Sequence, residues 1–420
     1  MHKVTKDAFT LLLFSAVAGV AGYLYYFILA RVLSVEEYGL LYSIGSLLYI
    51  LTVPQETIRT VVAIFTTKYS SKKETGKIHQ LMDFASKKIF LLSIVFFIIV
   101  LALTPLLISV LHTTFLPLAI ISLLLLVAFL QPVGWGVFQG LGRFKELGIN
   151  NSIETLIKLG LAVALVFLLP INIRIFGALI AAPISAFLAL LLGFWALKDI
   201  KKAKKIKIKE KLGRYSFATL IIFGLITLMY SVDVIIARYF FSARVSGIYG
   251  GISLICKSLF FIATGIKRAM MPNLVKKNEE KQDKEVKSIL KKVSLLMIML
   301  FGGFLILSIF FPNQIVMVVL GKKFLSAAPY LKYMVMAMAF FSFANLMVYY
   351  NLSINQNKKM TIRVLASAFF LEVVLLLFFH ETIQQFIQMM MIVNLALLIG
   401  LVVISLIKPK ENKPIRLLKK

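Results

Sequence analysis

Several basic residues of this chain lie in or at the ends of strongly apolar segments, and five of them are candidates for binding a substrate: Arg31, Arg59, Lys158, Lys257 and Lys267. An ionised side chain at the centre of a membrane helix costs ~2.5–3.5 kcal/mol, so such residues usually face a polar cavity or a partner. Together they predict a cavity with cationic patches that binds an anionic group such as a phosphate or pyrophosphate. The alternative for Arg31 and Lys267, and equally for Arg238, is that residues near helix ends only extend their charges to the membrane surface.

Two carboxylates stand at helical spacing from these cations. Glu56 lies three residues before Arg59, and Glu154 lies four residues before Lys158, so each pair shares one helical face. A structural ion pair is an equally good interpretation of the second pair. Lys257 has no carboxylate within one turn of its own helix, which favours a place in a hydrated cavity.

A second group of polar residues predicts a cation site. Asp233, Glu372 and Asn394 lie in apolar segments and offer two carboxylates and an amide carbonyl, the oxygen ligands that hard cations prefer. Na⁺ or H⁺ is the expected coupling ion, and no other cofactor is expected. The estimated depths differ, since Asp233 is nearer the outer face than the other two.

Several kinds of chemistry find no support in the sequence. The single cysteine, Cys256, excludes a disulfide framework and a thiol-based metal site. No phosphate-binding Gly-x-x-x-x-Gly-Lys-Ser/Thr run occurs, so ATP hydrolysis is not expected. Catalytic residues and a structural metal are not expected either, because the four histidines stand at helix ends or in loops: His2, His79, His112 and His380.

The elements that must position these residues are membrane helices. The hydrophobic fraction is 60% and the mean hydropathy is +0.92 over 420 residues, whereas soluble domains are ~45–50% apolar. A bilayer span needs ~20 apolar residues. The apolar runs therefore predict an all-α polytopic protein with about twelve spans, over 8–33, 39–66, 89–111, 115–142, 149–170, 174–197, 214–240, 247–270, 290–311, 325–352, 360–379 and 383–407.

The net charge of +29 is distributed unevenly between the loops. When each Lys or Arg near a helix end is assigned to the side of that end, 37 of the 47 lie on the side of the N-terminus, six on the opposite side and four well inside predicted helices. The positive-inside rule then places both termini in the cytoplasm of a plasma or inner membrane. The basic clusters fix topology and contact anionic membrane lipids, so no nucleic-acid partner is expected.

The chain reads as a tandem duplication. A basic linker over 198–214 separates six predicted helices from six, which predicts an N-terminal bundle at 1–200 and a C-terminal bundle at 201–420. Ala30-Arg31 ends the first predicted helix as Ala237-Arg238 ends the seventh, and Gly39 and Gly247 are expected to open the helices that follow. Two six-helix bundles in parallel orientation would enclose a central cavity. Chance similarity between apolar helices is the alternative.

Prolines fall inside four of the predicted helices and are expected to bend them: Pro54, Pro105, Pro132 and Pro183.

The residues around the helix ends resemble those of polysaccharide (O-antigen type) flippases. The resemblance rests on Ala30-Arg31 followed by Leu33-Ser34-Val35-Glu36-Glu37-Tyr38-Gly39, on Tyr230-Ser231-Val232-Asp233 through Ala237-Arg238 to Gly247-Ile248-Tyr249, and on Met271-Pro272. It implies two bundles around a V-shaped cavity, alternating access, and a polyprenyl-(pyro)phosphate-linked oligosaccharide as substrate. It also implies glycan polymerases or glycosyltransferases as partners.

Two other classes stay open. A cation-coupled multidrug antiporter of the same superfamily is the nearest alternative, although the predicted interior leans cationic. A membrane glycosyltransferase or polymerase would be expected to carry a large outer loop or an Asp-x-Asp motif, and the sequence has neither. A non-enzymatic transporter is therefore the expectation.

Overall fold

The computed structural model describes residues 2–206, 208, 217–354 and 358–406. Within these residues every regular element is helical. The α-helices are α1 His2–Val32, α2 Val35–Ile50, α3 Thr52–Ser71, α4 Thr75–Ala102, α5 Thr104–Leu111, α6 Phe115–Ala128, α7 Gln131–Gly140, α8 Phe144–Leu168, α9 Arg174–Ala196, α10 Lys198–Lys201, α11 Phe217–Phe240, α12 Ala243–Glu279, α13 Asp283–Phe310, α14 Pro312–Val319, α15 Leu331–Ser353, α16 Lys358–Phe378 and α17 Ile383–Leu406. Short 3-10 segments cover Ile171–Ile173 and Lys322–Tyr330.

Twelve spans in the described part of the chain are long and apolar enough to cross a membrane. This confirms the predicted all-α polytopic fold and the number of spans. Large apolar side chains such as Leu168 and Phe378 are more than 70% exposed on these helices, which is favourable only against lipid. The protein is therefore a multi-pass membrane protein. The C-terminal tail and much of the linker, both predicted to be cytoplasmic, lie outside the described residues.

Three of the four prolines coincide with interruptions of a span. Pro54, Pro105 and Pro132 stand in the first turns of α3, α5 and α7, where the missing backbone N–H costs nothing. The preceding helical piece ends just before Leu51, Leu103 or Phe129–Leu130. Each of these three prolines therefore follows a break between two helical pieces, whereas the sequence predicted a bend within one helix. Pro183 stays inside the continuous helix α9.

Several predicted helix bounds were too short. In the structure, the span predicted at 39–66 is formed by α2 and α3, which together extend from Val35 to Ser71. The span predicted at 89–111 begins at Thr75, and the one predicted at 247–270 continues to Glu279. Apolar runs mark only the part inside hydrocarbon, whereas backbone hydrogen bonding continues into polar residues. At α2 the early start is fixed by a capping box: Ser34 Oγ accepts from Glu37 N (3.1 Å), and the Glu37 carboxylate accepts from Ser34 N (2.8 Å).

Helix ends recur at a constant offset of 208 residues. α2 and α12 begin at Val35 and Ala243, α4 and α13 cover Thr75–Ala102 and Asp283–Phe310, and α5 and α14 cover Thr104–Leu111 and Pro312–Val319. Each second number exceeds the first by 208. This recurrence supports the duplication inferred from the sequence; the domain bounds 1–200 and 201–420 stay a prediction.

The chain divides into two compact units. The first unit comprises Met1–Leu220, Val234–Gly251 and Met317–Phe324. Its core includes Tyr69, Leu81, Val137 and Phe138, which pack together from α3, α4 and α7. The unit therefore contains two short segments from the second half of the chain.

The second unit comprises Ile221–Asp233, Ile252–Val316 and Leu325–Lys420. Within it α15 packs on α17, α13 and α16, and Met297, Met334, Phe386 and Ile387 are buried. α11 contributes to both units, because the division falls between Asp233 and Val234.

Candidate functional site

A buried ion pair joins α11 and α12 in the second unit. Lys257 Nζ lies 2.8 Å from Asp233 Oδ1, and the two side chains are 2% and 0% exposed. The ammonium also donates to the Tyr230 carbonyl (2.6 Å) and lies 4.8 Å from the centre of the Tyr230 ring. A buried ammonium is stable only when an opposite charge neutralises it and acceptors bind its N–H groups. Here the Asp233 carboxylate provides the opposite charge, and the Tyr230 carbonyl provides a further acceptor.

This pair joins two residues for which the sequence predicts different roles, Lys257 in an anion-binding cavity and Asp233 in a cation site. The partner of Lys257 is 24 residues away, on the neighbouring helix of a hairpin, which helical spacing along one helix does not reveal.

Glu372 lies within the electrostatic reach of this pair. The residue is on α16 and 1% exposed, and the charges of Asp233 and Lys257 act on its carboxyl group. Its Oε2 atom has no hydrogen-bond partner among the described residues. Two buried carboxylates and one ammonium leave one negative charge when all three are ionised. A proton or a monovalent cation would neutralise this charge.

Asn394 is the third member of the predicted cation site. It lies on α17, which packs against α16, and its Nδ2 donates to the Ala337 carbonyl (3.2 Å). Its Oδ1 has no partner among the described residues, so this oxygen is available to a ligand. The amide is thereby held in a fixed orientation on a packed helix.

Lys267 lies ten residues after Lys257 on α12. It is fully buried, its Nζ lies 4.6 Å from the centre of the Phe260 ring, and it contacts the Ser342 carbonyl at 3.5 Å. A cation–π contact stabilises an ammonium without neutralising it. An aromatic ring and a backbone carbonyl therefore stabilise the Lys267 ammonium in the interior of the second unit.

In the first unit, Arg59 is held by two neighbours. Its Nη1 lies 3.2 Å from Glu56 Oε2, as the spacing of three predicted, and its Nε donates to Gln139 Oε1 (3.0 Å). The Arg59 side chain is 29% exposed and that of Glu56 is 63% exposed. The guanidinium is thus oriented at a partly hydrated place, where it can still meet an anion.

Glu154 and Lys158 have partners from other helices of the first unit. Glu154 Oε2 accepts from Gln131 Nε2 (2.9 Å), and Lys158 Nζ lies 4.8 Å from the centre of the Tyr25 ring. The Tyr25 hydroxyl donates to the Ala178 carbonyl (3.0 Å), which fixes the ring. Polar amides inside apolar runs, such as Gln131, are a signal by which these partners could have been found.

Arg31, the remaining predicted anion-binding residue, contacts backbone. Its Nη2 donates to the Val318 carbonyl. Arg238, which the sequence places only near a helix end, is 3% exposed. It donates to three backbone carbonyls and a serine hydroxyl. The predicted residues thus fall into two groups by unit: Asp233, Lys257, Lys267, Glu372 and Asn394 lie in the second unit, and Arg31, Arg59 and Lys158 lie in the first.

Comparison with known proteins gives one family match. Residues 4–272 match the model of a family described as polysaccharide biosynthesis protein. An uncharacterized membrane protein of Methanocaldococcus jannaschii is 26% identical over 292 residues, which are 64% of this chain and 68% of that protein.

Solved structures with the same fold include transporters and a flippase. A multidrug resistance MATE family transporter of the MOP superfamily in an inward-facing conformation has a TM-score of 0.72 at 10% identity, with 92% of each chain covered. The lipid II flippase MurJ in an inward closed conformation has a TM-score of 0.69 at 15% identity, over 94% of this chain and 86% of that one. A MOP superfamily transporter from Pyrococcus furiosus, described with a binding pocket of reversed polarity, has a TM-score of 0.64 at 10% identity, over 96% and 94%.

Proposed function

The chain belongs to the polysaccharide biosynthesis protein family, and from this membership we propose that it is a flippase. It moves polyprenyl-(pyro)phosphate-linked oligosaccharide across the cell membrane by alternating access. The observation that carries the proposal is the presence of buried ammonium groups on membrane spans, with Lys257 2% exposed and Lys267 fully buried. Such groups are costly to retain in a membrane protein without a function.

The chemistry of the substrate explains the need for these cations. The isoprenoid tail can stay in hydrocarbon, but the phosphorylated, hydrated head cannot cross it unaided. Lys267 in the second unit, and Arg59 and Lys158 in the first, are each candidate cations for the phosphates. Of these three, only Arg59 can bind a phosphate with two parallel hydrogen bonds. Transport of this kind breaks no covalent bond, so we propose a transporter and not an enzyme.

The orientation follows from the basic loops. We place the termini in the cytoplasm, where the substrate head is loaded, and the lipid-linked glycan leaves toward the opposite face. Anionic lipids contact the basic side of the protein. Glycosyltransferases that build the glycan and a polymerase that consumes it are the expected partners.

Loss of the protein gives a direct test in cells. Cells without it should accumulate lipid-linked oligosaccharide whose glycan faces the cytoplasm, because the head cannot cross unaided. Glycosidase accessibility, compared between spheroplasts and inside-out vesicles, measures this sidedness. Unchanged sidedness together with increased sensitivity to cationic drugs would contradict the flippase and favour the multidrug antiporter. We place the antiporter second because Lys257 already neutralises Asp233.

We further propose that Asp233, Glu372 and Asn394 couple transport to Na⁺ or H⁺. A cation that binds at the two carboxylates competes with the Lys257 ammonium for Asp233. The released ammonium can then meet a phosphate of the substrate. Binding of the ion and binding of the substrate would thus be linked through one residue.

Glu372→Gln tests this coupling. The amide keeps the shape of the side chain but cannot take up a proton or a full cation charge, so flipping should lose its response to an imposed Na⁺ or pH gradient. Flipping rates in vesicles with and without each gradient are the measurement. Glu56→Gln, at an exposed carboxylate, should keep the response. An equal gradient response in both variants would exclude Glu372 as the coupling residue.

A further inference from the structure

Arg238 ties the end of α11 to the end of α5. Its Nε donates to the Leu111 carbonyl (2.8 Å) and its Nη2 to the His112 carbonyl (3.3 Å), while Nη1 donates to Ser246 Oγ (3.0 Å). Leu111 is the last residue of α5. The last carbonyls of a helix have no partner within it and carry partial negative charge. A buried guanidinium satisfies both needs.

Arg31 makes the corresponding contact at the end of α14. Its guanidinium donates to the carbonyl of Val318, the penultimate residue of that helix. Lys323 strengthens the junction from the other side, because its Nζ donates to the carbonyls of Arg31 (3.1 Å) and Leu33 (2.9 Å). The segment after α14 is therefore held on the end of α1.

The two contacts are equivalent within the repeat. Arg31 and Arg238 are separated by 207 residues, and so are Leu111 and Val318. The arginine that ends the first helix of one half binds the end of α14, and its counterpart in the other half binds the end of α5. The helices α5 and α14 correspond at an offset of 208 residues. The offset of 207 between the two contacts therefore differs from the offset between the helices by one residue. Such reciprocity is the mark of a two-fold relation.

A third contact lies between the starts of the equivalent helices α2 and α12. A Cβ atom on Gly39 would lie 2.7 Å from Gly247 Cα, and one on Gly247 would overlap the Val35 carbonyl oxygen. A Cβ on Gly39 would also meet the carbonyl oxygen of Ala243 (3.4 Å), the residue that corresponds to Val35. The two helices touch backbone to backbone, which only glycine permits.

From these contacts we infer that Arg31 and Arg238 form a reciprocal latch, defined by the bonds Arg31–Val318 and Arg238–Leu111. All of its residues lie in the first unit, although segments 234–251 and 317–324 come from the second half of the chain. Alternating access, which is part of the proposed function and on which this inference rests, requires these segments to separate from the first half. The latch supplies the bonds that hold them and that must break.

Spin labels at positions 171 and 322 test the latch. Both positions are exposed and belong to the first unit, one in each half of the chain, and Cys256→Ala removes the native thiol. The interspin distance is measured in nanodiscs by double electron–electron resonance. The double variant Arg31→Ala, Arg238→Ala should shift it toward longer values. The ratio of long to short population should rise by about tenfold or more, the effect of one lost hydrogen bond to a charged group.

The single variants and a control sharpen the test. Arg238→Lys keeps a charge but loses the fork of donors, so an intermediate shift is expected. Arg31 is exposed, so Arg31→Ala should still fold and allow the distance to be measured if substitution of the buried Arg238 prevents folding. Arg244→Ala breaks an exposed ion pair with Glu36 (3.7 Å) and should leave the distances unchanged.

Unchanged distances in the double variant, or in both Arg31→Ala and Arg238→Lys, would overturn the latch. An equal shift of the interspin distance in Arg244→Ala would also overturn it, because loss of a cation outside the latch would then have the same effect as loss of Arg31 and Arg238. The readout needs no substrate. It therefore separates failure of the latch from failure of the proposed glycan substrate.

Discussion

Lys257→Met should destabilise the protein by about 3–5 kcal/mol, because it leaves the Asp233 carboxylate buried without its counter-charge. The side chains are 2% and 0% exposed at 2.8 Å, so water cannot replace the lost partner. Asp233→Leu should have a similar effect from the opposite side, since it strands the ammonium. Denaturant unfolding of the purified protein in one detergent is the measurement.

The double variant Asp233→Leu, Lys257→Met separates a structural role of the pair from a transport role. With both charges removed, most of the lost stability should return, because a buried ion pair replaced by apolar residues is often neutral for stability. Transport should nevertheless stay lost, since the Lys257 ammonium is no longer there to meet the substrate. Arg244→Ala, at an exposed pair, should cost less than ~1 kcal/mol. Additive losses in the double variant would show that the two residues do not act as a pair.

Lys267→Ala should lower glycan export at least about tenfold, since a hydrogen bond to a charged group contributes ~1.5–3 kcal/mol. The ammonium is fully buried, and it lies 4.6 Å from the centre of the Phe260 ring. Arg59→Ala should have a comparable effect, and Arg59→Lys should keep part of the activity, because lysine cannot bind a phosphate bidentately. Export of glycan to the cell surface, normalised to the amount of protein in the membrane, is the measurement.

An exposed lysine provides the matched control for these variants. Lys205 lies before the undescribed part of the linker and pairs with Asp83 at the surface, so Lys205→Ala should export normally. Normal export by a well-expressed Arg59→Ala, Lys267→Ala double variant would remove both residues from the substrate path.

The number and order of the spans could be predicted from the sequence because each span depends on a local property, the length of its apolar run. Twenty or so apolar residues suffice to identify a span, and a proline such as Pro105 marks the break between α4 and α5. The full lengths of the helices were not readable in this way. Thr75 and Glu279 belong to helices whose polar ends lie outside any apolar run, and hydropathy does not register them.

Only some of the contacts between polar residues in the interior could be predicted from the sequence. Sequence spacing reveals a pair on one helix, as with Glu56 and Arg59, but not a pair across a hairpin, as with Asp233 and Lys257. Gly39 and Gly247 were expected to open their helices, yet α2 and α12 begin four residues earlier. Their glycines serve close packing, a reason that appears only when the two backbones are seen together.

Flipping by the purified protein is the most direct test of the central claim. Proteoliposomes are loaded with a polyprenyl-pyrophosphate oligosaccharide whose glycan carries a fluorophore, and a membrane-impermeant reductant is added outside. Wild-type protein should expose the inner-leaflet fluorophore to quenching, whereas the Arg59→Ala, Lys267→Ala variant should leave it protected. A glycolipid of equal size without phosphate should also stay protected. If the wild-type protein leaves the pyrophosphate-linked glycan as protected as protein-free liposomes do, the proposed function is wrong.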